Sequence, residues 1–295
     1  MKKNIKVFAL ASVILSLCAS FSFAKDFWND FVDAIQNKNF EKASSILQEW
    51  EKEEPESTEL KIAYFNYYLN RDVKVNSIMG QMSDGRYGLY DKRTYNQDDV
   101  KTGISYLDKA LEKQPDRLDV HFGKCSSLLQ SENYKEATDA ILTAIETSVK
   151  IKNKWKWSKD ELIPNGEEAL FSGLNDYCGI LFNQGPAESL ESVIHAIEKN
   201  YPNNIIGLNH TARFYARSGN NKKGIEVLKR AHSLDKKDYI ILGNLGYMYE
   251  LENDFDKARE CYKKMLKIDN PESQRYGQYY LDELEKRDES EEPQK

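Results

Sequence analysis

The side chains that most often carry catalysis are few in this chain, and their spacing does not assemble a catalytic set. General acid–base or nucleophilic chemistry needs a base within hydrogen-bond reach of a nucleophile or a second titratable group. The histidines have no recurring carboxylate or nucleophile at a fixed spacing, and the glycines form none of the patterns that hold nucleotide phosphates. The sequence therefore predicts a protein that is not an enzyme and carries no cofactor. The four histidines are His121, His195, His210 and His232.

The cysteines are also spaced wrongly for a metal site. Beyond the first 24 residues the chain holds Cys125, Cys178 and Cys261, which lie 53 and 83 residues apart. No Cys-x-x-Cys pair occurs, and no histidine stands at the ligand spacing that zinc sites require. We expect three buried, small apolar side chains and no bound metal.

The first residues have the features of an export signal. Three lysines stand among the first six residues, and the stretch 7–23 that follows is apolar and uncharged. Ser22-Phe23-Ala24 then offers small residues at the two positions that a signal peptidase reads. The sequence predicts that residues 1–24 are a signal peptide and that the protein is exported, periplasmic or secreted, with no stable membrane insertion after cleavage.

Two other fates of this N-terminus stay open. The segment Leu15-Ser16-Leu17-Cys18 is similar to a lipoprotein cleavage box, although Leu17 is larger than the residue that normally precedes the cysteine. A lipid anchor at Cys18 is therefore one alternative. The other is a retained N-terminal anchor, because an apolar stretch of about 17 residues is at the short limit for a membrane span.

The charge of the chain argues against one class of partner. The formal net charge is −6 for the whole chain and becomes −9 without residues 1–24, which hold three lysines and no acid. Nucleic-acid binding depends on clustered lysine and arginine that neutralise phosphates. We therefore expect no nucleic-acid partner.

Any binding residues must be positioned by a repeat that dominates the C-terminal half of the chain. Segments 205–238 and 239–272 are each 34 residues long, with large apolar residues at position 4, small ones at position 8 and an aromatic at position 11. Positions 4, 8 and 11 share one face of a helix, and positions 20, 24 and 27 share one face of a second helix. Small residues at positions 8 and 20 let the two helix axes approach closely. The residues at these six positions are Leu208, Ala212, Tyr215, Gly224, Leu228 and Ala231 in the first segment, and Leu242, Gly246, Tyr249, Ala258, Tyr262 and Met265 in the second.

This register resembles the tetratricopeptide repeat family, and the resemblance implies an all-α solenoid of stacked helix hairpins. Carried backward, the register gives about six hairpins plus a C-terminal capping helix, with a charged, disordered tail after it. Insertions interrupt the register at 71–96 and at 152–170. The predicted copies span 24–57, 58–117, 118–151, 171–204, 205–238 and 239–272, the cap spans 273–286, and the tail spans 287–295.

The resemblance implies a main binding surface made of polar residues on the first helix of each copy. In related proteins this concave groove holds an extended peptide or its carboxylate. Asparagine can pair with both the N–H and the C=O of a peptide backbone, and arginine forks onto carboxylates. In this chain two of the asparagines stand one position earlier than in the family pattern, and a basic pair occurs in one copy only. The candidate residues are Asn175, Asp176, Asn209, His210, Arg213, Arg217, Asn244 and Tyr247.

Two further surfaces are candidates for partner binding. The segment 150–159 places five lysines around Trp155 and Trp157, which favours an anionic partner, a glycan or a membrane surface, unless the two tryptophans pack the chain onto the next repeat. The insertion 71–96 is rich in tyrosine, methionine and glycine. We expect this long loop either to plug one end of the groove or to supply recognition residues.

Together these observations predict a non-catalytic scaffold or adaptor that binds a peptide or protein segment in the concave groove. A rigid, preformed groove limits the ordering cost of such binding. The alternatives are a structural subunit of a cell-envelope assembly and a glycan- or cell-wall-binding module.

Overall fold

The computed structural model describes residues 26–81, 87–158 and 161–291. The chain divides into two compact units, Met1–Glu167 and Glu168–Lys295. The predicted signal peptide 1–24, with Cys18, lies outside the described residues. In the part of the chain that the structure describes, no helix is long and apolar enough to cross a membrane.

The first unit contains three helix hairpins, with a β-hairpin inserted in the second one and a very short pair of strands after the third. Each helix hairpin pairs one first helix with one second helix. The helices are α1 (Phe27–Gln36), α2 (Phe40–Glu53), α3 (Thr58–Arg71), α4 (Gln97–Lys113), α5 (Leu118–Gln130) and α6 (Tyr134–Lys150), and the strands are β1 (Lys74–Gln81), β2 (Tyr87–Thr94), β3 (Lys156–Trp157) and β4 (Glu161–Leu162).

The second unit repeats the same hairpin plan and ends in a long helix. Among the described residues, the two units together therefore contain six helix hairpins and one further helix, which confirms the predicted all-α repeat fold. The last helix covers the positions assigned to the cap, 273–286. The helices of this unit are α7 (Gly166–Asn183, beginning at the boundary), α8 (Ala187–Asn200), α9 (Ile205–Arg217), α10 (Asn221–Leu234), α11 (Tyr239–Leu251), α12 (Phe255–Leu266) and α13 (Pro271–Glu291).

Local sequence sets where these helices begin. Ser57 accepts a hydrogen bond from the backbone N–H of Leu60, and Asn96 accepts from the backbone N–H groups of Asp98 and Asp99. Such side-chain caps satisfy donors that the first turn of a helix leaves without a partner. The insertion 71–96 therefore ends at a capped helix start, because Asn96 caps α4.

Close approach of the paired helices explains the small residues at position 20. A Cβ atom on Gly224 would lie 3.2 Å from the carbonyl oxygen of Ala212, which is at position 8 of the same copy. A Cβ atom on Gly103 would lie 3.3 Å from the carbonyl oxygen of Phe65. The same contact in both units places Phe65 at position 8 and Gly103 at position 20 of the second copy, in spite of the insertion between them.

Two segments differ from what the sequence predicts. The insertion 71–96 is not an irregular loop: it forms the antiparallel hairpin β1–β2, paired from Lys74 opposite Thr94 to Gln81 opposite Tyr87. Helix α13 continues to Glu291, so residues 287–291 of the predicted disordered tail are helical. Residues 287–291 are four charged side chains and a serine, and the insertion mixes polar residues with glycine and tyrosine, so both compositions are typical of a tail or a loop.

Candidate functional site

Two side-chain contacts join the three first helices of the second unit. The Nε2 atom of His210 on α9 lies 3.0 Å from Oδ1 of Asn175 on α7. One helix further on, Asn244 on α11 donates its side-chain N–H to Oδ1 of Asn209 at 2.6 Å. Asp176 lies beside the first of these contacts, with its Oδ1 atom 3.4 Å from Nδ2 of Asn175. We call the surface of α7, α9 and α11 around these residues the first-helix face.

The two arginines of the predicted site share one aromatic ring. The guanidinium carbon of Arg213 lies 4.5 Å from the centre of the Phe182 ring, and that of Arg217 lies 5.2 Å from it. Arg217 also donates to the backbone carbonyl of Phe182. Neither arginine forms an ion pair with any carboxylate of the described residues. Burial lowers the pKa of Arg213, which nevertheless stays charged at neutral pH because the ordinary value is so high.

His210 is a neutral member of this face. Burial, followed by the positive charge of Arg213, lowers the pKa of His210 to about 4. At neutral pH the imidazole therefore carries no charge, and its contact with Asn175 holds that amide in place. His210 is buried, so it positions Asn175 and does not itself present a surface to a ligand.

Exposed apolar side chains lie beside these polar groups. Tyr247 is 55% exposed, and Ile240 and Ile206 on the same helices are also exposed. The two isoleucines are not among the site residues that the sequence predicts. They stand at position 2 of their copies, on the first helices that carry the predicted groove, so the register was the signal that could have found them. The first-helix face thus combines amides, a cationic pair and apolar contact area.

The tryptophan pair predicted as a binding patch belongs to the core of the first unit. Trp155 is fully buried and packs edge-on against His121, with 5.3 Å between ring centres. Trp157 is half-buried and packs edge-on against Phe122 at 6.1 Å. Trp155 therefore cannot contact a partner in this structure, and its assignment to a binding site is wrong. A large apolar surface is more stable against the neighbouring helix than in water, which outweighs the clustering of lysines around it.

The three cysteines form neither a metal-binding group nor a reactive thiol in the part of the chain that the structure describes. Burial raises the pKa of Cys125 and of Cys178 to about 12, and that of Cys261 to about 11, so the three thiols stay protonated. All three are buried and unbridged. Across residues 26–81, 87–158 and 161–291, no group of three or more histidine, cysteine or acidic side chains is placed to hold a metal ion.

Comparison with known proteins identifies the repeat. Residues 240–271 match the family described as "Tetratricopeptide repeat". No curated protein matches the chain. Among solved structures, the chain is similar to the C-terminal part of a TPR repeat-containing protein from Cytophaga hutchinsonii, with 10% identity, a TM-score of 0.45, and coverage of 82% of this chain and 79% of that one.

Two further solved structures show the same level of similarity. One is YrrB, described as a TPR protein with an unusual peptide-binding site, with 16% identity, a TM-score of 0.40, and coverage of 76% of this chain and 92% of that one. The other is Pseudomonas aeruginosa pilF, with 16% identity, a TM-score of 0.40, and coverage of 65% of this chain and 80% of that one.

Proposed function

We propose that this chain, a tetratricopeptide-repeat protein, is a non-catalytic scaffold that holds an extended peptide segment of a partner protein on the first-helix face. The observation that carries the proposal is the half-buried guanidinium of Arg213, which has no carboxylate partner among the described residues. A cation that is partly removed from water is stabilised when an anion binds beside it.

The rest of the face suits a peptide backbone. Asn209 and Asn244 are half-buried and already hydrogen-bonded to each other, so their remaining donor and acceptor sites are held at fixed positions. Tyr247 adds exposed apolar area that a side chain of the peptide covers on binding. The ligand of this proposal is therefore an extended segment with an acidic side chain or a C-terminal carboxylate at Arg213 and Arg217.

The proposal includes export of the scaffold, for which the support is the signal-peptide pattern of residues 1–24. A structural subunit of an envelope assembly is the second candidate. It is favoured by one observation, the exposed apolar face of the β1–β2 hairpin with Val75, Met79 and Leu89. Burial of Trp155 removes the main support for a glycan-binding module.

Selection from a random peptide library tests this function. The purified protein is used as bait, and an Arg213→Gln, Arg217→Gln variant serves for counter-selection. We expect the enriched peptides to carry aspartate, glutamate or a free C-terminus at a fixed position, because the lost guanidinium groups can fork onto carboxylates.

The matched control is Lys222→Gln, Lys223→Gln, which removes two exposed positive charges from α10. The selected peptides should bind this control as tightly as the unmodified protein. If counter-selection against the arginine variant removes every enriched peptide, the proposed site is contradicted.

A further inference from the structure

A second recess lies in the first unit, away from the first-helix face. It occupies about 710 Å³ between α4 and α6, with α5 at its floor, and we call it the α4–α6 groove. Its apolar lining consists of Val100, Ile104, Leu128 and Ala140. The remaining lining residues are polar or charged and include Asp98, Lys101, Asp108, Lys124, Glu136 and Asp139.

A comparison of equal repeat positions explains why no side chain of this protein fills the groove. Three of its lining residues, Lys124, Leu128 and Ala140, stand at positions 7, 11 and 23 of the third copy. Phe65 and Gly103 mark positions 8 and 20 of the second copy. Counted from these two residues, positions 7, 11 and 23 of the second copy are all tyrosine. These tyrosines are Tyr64, Tyr68 and Tyr106.

The three tyrosines form a stack in the second copy. The ring of Tyr106 lies 4.5 Å from that of Tyr64 and 5.9 Å from that of Tyr68, with both pairs nearly parallel. The hydroxyl group of Tyr64 donates to Glu51 on α2 at 2.7 Å, so the stack reaches the preceding second helix. The ammonium group of Lys109 lies 5.0 Å above the Tyr106 ring. One inter-helix space of this unit is therefore filled with aromatic rings and a cation, and the next one is open.

We propose that the α4–α6 groove binds an aromatic side chain of a partner peptide, with lysine or arginine next to it in the peptide. The groove offers an aromatic ring the apolar lining of Leu128, Val100 and Ala140, and this part of the repeat accommodates stacked rings one copy earlier. The aromatic ring of the ligand takes the space that tyrosine rings at positions 7, 11 and 23 fill in the second copy.

The charges at the groove select a basic peptide. Lys124 is paired with Asp108 across the floor, so this cation is already neutralised. Asp98 and Glu136 are exposed at the rim and form no ion pair with any lysine or arginine of the described residues, and the only ion pair of Asp139 is with the exposed Lys135. Among the described residues that line the groove, Lys101 is the one cation besides the paired Lys124. Carboxylates thus outnumber cations at the rim, which attracts lysine or arginine and repels an acidic peptide.

Binding of three short probes tests this inference. The tripeptide amide Lys-Trp-Lys is titrated into the isotopically labelled protein, and the amide resonances are followed by NMR. We expect saturable shifts at Ile104, Leu128 and Ala140. Glu-Trp-Glu amide lacks the charge complement and Lys-Ala-Lys amide lacks the ring, so both should bind at least about tenfold more weakly. Absence of saturable shifts at these residues, or equal binding of the three probes, would overturn the proposal.

Two variants locate the site. Ala140→Tyr places in the third copy the ring that Tyr106 provides in the second, and should abolish probe binding at an unchanged melting temperature. Asp98→Asn with Glu136→Gln changes only exposed side chains and should weaken Lys-Trp-Lys binding by about three- to tenfold. Glu146→Gln, an exposed acid on α6 that does not line the groove, is the control. If the Ala140→Tyr variant does not fold, the variant Asp98→Asn with Glu136→Gln decides the test. Unchanged affinity of that variant for Lys-Trp-Lys would refute the site.

Discussion

Positions 5 and 13 of a first helix are covered by inserted segments in the first unit and are uncovered in the described part of the second. In the first unit, position 5 of the third copy is Phe122, against which Trp157 packs, and position 13 is Gln130, which accepts a hydrogen bond from Tyr95 at 2.8 Å. Trp157 and Tyr95 both come from the insertions. In the second unit the same positions hold Asn209 and Arg217, and no insertion covers them among the described residues.

This difference indicates which surface is available to a partner. The first unit uses its own inserted segments, Tyr95 and Trp157, to cover the first helix of its third copy. The second unit leaves side chains such as Arg217 and Tyr247 open to solvent. Binding should therefore respond to changes in the second unit, and stability should respond to changes at the insertions of the first.

The largest expected effect is on the stability of the first unit, where inserted segments cover the first helix of the third copy. Trp155→Ala removes a fully buried indole that anchors the insertion 152–170. We expect the free energy of unfolding to fall by about 3–5 kcal/mol, because a large cavity forms and apolar contacts are lost. Denaturant unfolding followed by circular dichroism measures this change.

Trp157→Ala provides the matched control for that variant, since Trp157 is only half-buried. Its loss should cost about 1–2 kcal/mol. An equal effect of the two substitutions would show that the insertion is not anchored through Trp155.

On the open side, Arg213→Gln should weaken binding of the library-selected acidic peptides by about 1.5–3 kcal/mol, which is roughly 10- to 150-fold. The reason is loss of a charge-assisted hydrogen bond in a half-buried setting. Isothermal titration calorimetry measures the affinity. Gln130→Ala removes a side chain at the position of the first unit that corresponds to Arg217, and peptide affinity should not change. Loss of affinity in that variant would break the contrast between the units.

A smaller effect concerns pH and the amide that His210 holds. The pKa of His210 is about 4 in the folded protein, below its value of about 6.5 in an unfolded chain. The unfolded state therefore binds the proton first as the pH falls, so this contribution to stability is complete above pH 6.5 and is lost between pH 6.5 and 4. His210→Gln should flatten the fall in unfolding free energy over that range. An imidazole that titrates near pH 6.5 in NMR spectra of the folded protein would contradict the assignment.

The smallest expected effect is on the cover supplied by the first insertion. Tyr95→Phe keeps the buried ring and removes the hydrogen bond to Gln130, so the free energy of unfolding should fall by about 0.5–1.5 kcal/mol. Tyr90→Phe on β2 serves as the control, because its half-buried ring lies over Gly80, outside the contact with α5. A larger loss for Tyr90→Phe would mean that the hairpin itself, and not its contact with Gln130, limits stability.

The repeat fold could be predicted from the sequence because its signal is local and periodic. Small residues such as Gly224 and Ala258 recur at a 34-residue spacing, and the close helix crossings that they permit are what the structure shows. The β1–β2 hairpin could not be predicted with the same argument, because a single pair of strands has no repeat to reinforce it.

The candidate site was predictable only in part. The polar residues at first-helix positions, among them Asn209 and Arg213, follow from the register. Burial of Trp155 depends on how the insertion 152–170 returns to the turn before α5, where the backbone N–H of Lys156 donates to the carbonyl of Asp116 at 2.8 Å. The open α4–α6 groove is likewise invisible without the structure, because an alanine such as Ala140 gives no sign of the space beside it.

The β1–β2 ribbon also has a bearing on how the protein behaves in concentrated solution. It is a sheet of only two strands, and one of its faces exposes Val75, Met79 and Leu89. Such ribbons can add strands from neighbouring molecules along their edges, which is the first step of β-aggregation. The whole chain has a formal net charge of −6, so molecules whose ribbons approach each other repel. Because salt screens this repulsion, colloidal stability of the protein should decrease as ionic strength rises.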